Sequence, residues 1–125
     1  MLSDGKVSTT IAVTDLERAK QFYSNTLNLT QLKESPGGVT YGSGAGTTIF
    51  VYPSQTAGTN KATYASWSVD DVTAVVEELK GRGVTFEHYD DMPGVTLAGD
   101  IHVMDGHEVA WFTDPDGNIL AIDSE

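Results

Sequence analysis

At 125 residues the chain has room for one domain or two small fused modules, and a chain of this size buries roughly 60–70% of its unfolded surface. Eighteen Asp and Glu against seven Lys and Arg leave a formal net charge of −11, which repels nucleic acid and anionic membranes, both held chiefly through basic groups. The absence of Cys excludes a disulfide framework, a thiolate nucleophile and a Cys-based zinc site.

The opening Met1-Leu2-Ser3-Asp4-Gly5-Lys6 lacks a basic start followed by an apolar run, and no later window is apolar enough to span a bilayer; a cytoplasmic location is the expectation. Next comes Val7-Ser8-Thr9-Thr10-Ile11-Ala12-Val13-Thr14-Asp15-Leu16. This pattern returns, shifted by 56 residues (71−15), as Thr63-Tyr64-Ala65-Ser66-Trp67-Ser68-Val69-Asp70-Asp71-Val72. Each copy reads as a short strand, an Asp that caps a helix, and an amphipathic run.

In the first copy, strand alternation places Ile11 and Val13 on one face and Ser8, Thr10 and Ala12 on the other. Asp15 caps a helix whose stripe is Leu16, Ala19, Phe22, Tyr23 and Leu27, and this stripe packs on Ile11 and Val13. Strands follow at about 30–33, 39–42 and 47–52, separated by Ser35-Pro36-Gly37-Gly38 and the glycine-rich 42–46 turn. That turn lacks the Lys-Ser/Thr end of a phosphate loop.

Residues 53–61 form a polar linker. The second copy then sets Ala65, Trp67 and Val69 under a helix with the stripe Val72, Val75, Val76 and Leu79, ended by Gly81 and Gly83, and leaves Tyr64, Ser66 and Ser68 on the opposite face. Asp70-Asp71 caps this helix, while Asp90-Asp91 begins a solvated loop ended by Pro93-Gly94. Strands are expected at about 84–88, 101–104, 109–113 and 119–123, the last two joined by Asp114-Pro115-Asp116-Gly117-Asn118.

The duplication, Asp15-Leu16 ahead of a helix containing Phe22-Tyr23, and Asp114-Pro115-Asp116-Gly117-Asn118 ahead of the last strand together resemble the vicinal oxygen chelate superfamily: glyoxalase I, extradiol dioxygenases, and bleomycin or fosfomycin resistance proteins. The resemblance covers nearly the whole chain. It implies an α+β fold in which two tandem βαβββ modules, 1–56 and 57–125, form a cupped mixed sheet within one domain, usually in a homodimer. Metal-dependent members hold the ion with His, Gln and Glu on the first and last strands of each module. The matching positions here are Ser8, Tyr64, Phe50 and Ala121, and protonated hydroxyls, a phenyl ring and a methyl group make no divalent-metal site. No metal cofactor is therefore expected.

The same parity assembles Ser8, Thr10, Thr48, Phe50, Tyr52, Tyr64, Ser66 and Ala121 as a ligand-binding surface of rings and hydroxyls. The function that follows is binding of a small aromatic or apolar molecule, as in a resistance or sequestering protein. The alternative is a glyoxalase-like lyase or isomerase, or a dioxygenase, with metal held by His102, His107 and Glu108; a third is metal-free acid–base catalysis by Tyr64 or a His. Asp105-Gly106 between His102 and His107 reads as a turn that sends both rings apart or into solvent, whereas the catalytic reading makes one a proton acceptor oriented by Asp100. His88 has no partner nearby in sequence. Trp111 is ambiguous, since Phe112 faces the other way.

Overall fold

The computed structural model describes residues 1–89 and 91–124. Asp90, half of the Asp90-Asp91 pair, lies outside the described residues. The fold is α+β, with two compact units, Met1–Ala57 and Gly58–Glu125.

In the first unit β1 (Thr9–Val13) leads to α1 (Leu16–Lys20), and β2 (Thr30–Ser35), β3 (Gly38–Gly42) and β4 (Thr48–Pro53) complete a sheet of order β1-β4-β3-β2. The first strand runs parallel to the last, and the others are antiparallel. Asp15 caps α1 by accepting the Arg18 backbone N–H at 3.1 Å. The helix does not continue regularly through Phe22 and Tyr23: Gln21–Thr26 widens into a π-helical segment whose Leu27 N–H reaches the Phe22 carbonyl at 2.9 Å. Tyr23 is thereby fully buried against Tyr41, ring centroids 6.0 Å apart, while Phe22 stays half-buried. With Ile11, Val13, Val39, Ile49 and Val51 these residues form the core under the helix.

In the second unit β5 (Thr63–Ser68) and α2 (Val72–Gly81) precede β6 (Phe86–Glu87), β7 (Thr96–Ala98), β8 (Ile101–Met104), β9 (His107–Thr113) and β10 (Ile119–Asp123). The order is β5-β10-β9-β8-β7, with β6 paired to β9 beyond the end of β8. Again the first and last strands are parallel. Asp71 caps α2 through the Ala74 N–H at 3.0 Å. Val72, Val76 and Leu79 are buried over the face carrying Phe86, Ala110, Phe112, Leu120 and Ile122. Trp67 shares this face, half-buried with its ring 6.3 Å from that of Phe112.

Two expectations change. The strand foreseen at 84–88 shrinks to two residues, because only Phe86 and Glu87 find partners on β9. The stretch after Pro93-Gly94, for which no strand was expected, contains β7, which turns at Gly99–Asp100 to pair with β8. Among the described residues no helix is long and apolar enough to cross a membrane.

Candidate functional site

Each sheet has one face under its helix and one bare of it. On the bare face of the first unit, β4 presents Thr48, Phe50 and Tyr52, and the register sets Phe50 beside Thr10 on one side and Thr40 on the other. Ser8 joins this face through its hydroxyl, 3.0 Å from that of Thr48. Phe50 and Tyr52 stack with centroids 6.0 Å apart and planes 9° from parallel. The Phe50 ring can lie down over β3 because Gly38 has no side chain: a Cβ there would sit 2.8 Å from the ring. Thus all five first-module residues expected at the site share one face.

On the bare face of the second unit, Ser66, Ala121 and Trp111 form one row across β5, β10 and β9, continued by Glu87 on β6. The next row is Thr63, Ile119 and Thr113. A register shift between Ile119 and Leu120 makes Tyr64 the extra residue, so Thr63 rather than Tyr64 pairs with Ile119. Trp111 Nε1–H donates to Thr63 Oγ1 at 3.1 Å. Because β10 lies between their strands, the indole must cross its face beside Ala121, which is only 3% exposed. A methyl group at 121 leaves room for that crossing. Ser66 and Ser68 both donate to the Asp123 carboxylate, Ser68 at 2.8 Å.

Trp111 therefore resolves toward the bare face and Phe112 toward the core. Together with Lys61, Thr63, Glu87, Tyr89, Met92, Thr113, Gly117 and Ile119 it lines an open recess of about 640 Å³. Sequence reasoning missed this recess, since Tyr89 and Met92 fall in a stretch with no periodicity; the aromatic and Met composition of 86–92 was the available signal. The Tyr89 and Trp111 rings meet at 77°, centroids 5.3 Å apart. Burial first, and the charge of Glu87 second, push the Tyr89 phenol above its ordinary range.

Beneath them lies His102. It is 0% exposed, not a surface-loop residue, because it points from β8 to the face that Trp111 and Tyr89 cover. Its Nε2 accepts the Tyr89 backbone N–H at 2.8 Å, so in the neutral ring the proton sits on Nδ1. The ring lies edge-to-face with Trp111 at 4.8 Å. It props the recess from below. His107 starts β9 after the Asp105-Gly106 turn, where both residues have positive φ, and lies 3.5 Å from the Ser124 hydroxyl. Glu108, opposite Val103, alternates to the other face from His102, which pairs with Val109. Hence His102, His107 and Glu108 do not converge, and among the described residues no three His, Asp or Glu side chains gather to hold a metal.

Asp100 orients neither of those histidines. It accepts from Lys80 Nζ at 2.8 Å and lies 2.7 Å from His88 Nε2, giving His88 the partner that the sequence hid. The hydrogen bond from Lys80, then that of His88, holds the Asp100 carboxyl below the usual range. A depressed folded-state value means that this stabilisation is present above the unfolded value near pH 4 and is lost as pH falls through the lower folded value. Accordingly, the melting-temperature difference between wild type and Asp100→Asn should be largest near neutral pH and shrink as the pH is lowered below about 4. A difference constant across that range in thermal melts would contradict the assignment.

Ser8, Phe50, Tyr64 and Ala121, where the sequence resemblance puts metal ligands, offer two hydroxyls, a ring and a buried methyl. These residues do not fit a divalent ion.

Two successive modules, each a strand, a helix and a sheet whose first and last strands run parallel, define the paired-βαβββ class of α+β proteins. The chain belongs to the Glyoxalase/Bleomycin resistance protein/Dioxygenase superfamily, whose profile matches residues 7–122. Among solved structures it is similar to a glyoxalase/bleomycin resistance protein from Streptomyces sp. CB03234, at 26% identity and a TM-score of 0.66 over 92% of this chain and 96% of that one. TnmS3, an antibiotic binding protein from the same Streptomyces strain, is 25% identical with a TM-score of 0.67 over 96% of each chain. The fosfomycin resistance protein FosX from Listeria monocytogenes shares the fold, with a TM-score of 0.71 at 16% identity over 97% of this chain and 93% of that one. No curated protein sequence matches the chain.

Proposed function

We propose that the protein binds a small molecule with a flat aromatic or apolar body on the bare sheet faces, and acts by sequestering it rather than by metal chemistry. The carrying observation is the recess of the second module, where Trp111 and Tyr89 meet nearly at right angles above a buried His102 and beside Met92 and Ile119. Rings so held lose little freedom on binding and offer faces for stacking, worth about 0.5–1.5 kcal/mol per aromatic pair beyond burial. Within that module Ser66 and Ala121 continue the proposed ligand-binding surface and Tyr64 adjoins it on β5; Ser8, Thr10, Thr48, Phe50 and Tyr52 form a second proposed ligand-binding surface on the first module, taken by itself. The likeness to TnmS3, described as an antibiotic binding protein, supports the reading.

N-phenyl-1-naphthylamine, a neutral dye that brightens in apolar sites, provides the test. Saturable binding in the micromolar range is expected, weakened about ten-fold by Trp111→Ala. Fluorescence titration showing no saturation, or equal affinity in the variant, would remove the proposal.

A further inference from the structure

The recess has a polarity that its aromatic lining alone does not require. Glu87 is half-buried, and the register places it directly opposite Trp111 on the same face of the sheet. Among the described residues no Lys, Arg or His pairs with it, in contrast to Glu17, Glu34, Glu78 and Asp100, which all have basic partners. A lone carboxylate beside two ring faces is an unfilled electrostatic environment: negative charge and the negative faces of aromatic rings both attract a cation.

The other charged group of the recess is Lys61, but it stands at the opposite side. It precedes β5, its Nζ lies 3.5 Å from the Gly58 carbonyl, and β10 and β9 intervene before β6. Three strand spacings amount to about 14 Å, more than the Debye length of about 8 Å at physiological salt. Lys61 therefore leaves the Glu87 end electronegative. The raised proton affinity of the Tyr89 phenol, to which Glu87 contributes, indicates that the carboxylate field reaches that ring. The net charge of −11 draws cations toward the whole molecule.

We propose that the recess selects organic cations: an ammonium group seated between Glu87 and the Tyr89 and Trp111 rings, attached to a flat body that lies along Trp111 toward Ile119 and Thr113. This rests on the binding reading above and adds the charge of the ligand to it. Lys61 then faces the far end of the bound molecule, where oxygen acceptors are the matching groups.

Three probes with one ring system separate the two ideas: 1-naphthylmethylamine, 1-naphthylmethanol and 1-naphthaleneacetate, which are cationic, neutral and anionic at about pH 7. In calorimetric titrations of the full chain at physiological salt, the amine should bind about ten-fold more tightly than the alcohol, and the acetate most weakly. Glu87→Gln should erase the difference between amine and alcohol. Equal affinity of amine and alcohol overturns the cation proposal and leaves the binding reading standing. An amine preference that survives in Glu87→Gln overturns the assignment to this carboxylate, and failure of all three probes overturns both readings.

Discussion

Replacing Phe112 by Ala should lower the stability of the protein by about 3–5 kcal/mol, the range for truncating a buried aromatic whose surroundings cannot collapse. Phe112 is 1% exposed next to the last residue of β9, between the edge-on ring of Phe86 at 5.6 Å and the stacked ring of Trp67 at 6.3 Å. Its backbone pairs with Leu120 on one side and Phe86 on the other, so neighbouring strands fix the distances around the ring. The loss of ring volume therefore leaves a cavity. Chemical denaturation read by far-ultraviolet circular dichroism should show the midpoint falling with little change in slope. A loss under 1 kcal/mol would mean that helix α2 can settle into the space, contrary to the packing described.

Asp114→Ala should be nearly as costly for a different reason. The Asp114 carboxylate accepts the backbone N–H groups of Asp116 at 3.0 Å and Asn118 at 2.9 Å, and the Asn118 side-chain amide at 2.8 Å. Asn118 is 0% exposed, and its side-chain oxygen Oδ1 in turn accepts the Gly58 N–H at 3.1 Å. Gly58 has a positive φ and lies so close to the Asp116 carbonyl that no side chain fits. Removing the carboxylate strands buried donors, each costing about 1–3 kcal/mol, so a total near 3–5 kcal/mol is expected. Asp114→Asn, which retains one acceptor oxygen, should cost less. If denaturation midpoints place both variants level with wild type, the turn does not depend on this network.

The same turn shows why the fold was readable. Asp114-Pro115-Asp116-Gly117-Asn118 encodes its own geometry through local hydrogen bonds, as do the capping residues Asp15 and Asp71, and alternation assigned Ile11 and Val13 to the helix side. Local chemistry and period were sufficient there. They were insufficient between 84 and 100, where β6 and β7 are defined by partners on β9 and β8 rather than by their own pattern. For the candidate site, the first-module face of Thr48, Phe50 and Tyr52 followed from parity, whereas the recess around Trp111 needed Tyr89 and Met92 from a loop. His102 was misjudged because a turn three residues away says nothing about which strand face a ring takes, nor about the residues that fold over it.

One slipped residue between Ile119 and Leu120 carries a longer consequence. Upstream of Ala65, position-by-position equivalence between the duplicated halves ends: the partner of Ile119 is Thr63, which accepts the hydrogen bond of the Trp111 indole, and Tyr64 is left without a partner on β10. The copies are thus no longer interchangeable. One half presents parallel stacked rings, Phe50 and Tyr52, and the other a crossed pair, Tyr89 and Trp111, on scaffolds that both set their first strand parallel to their last.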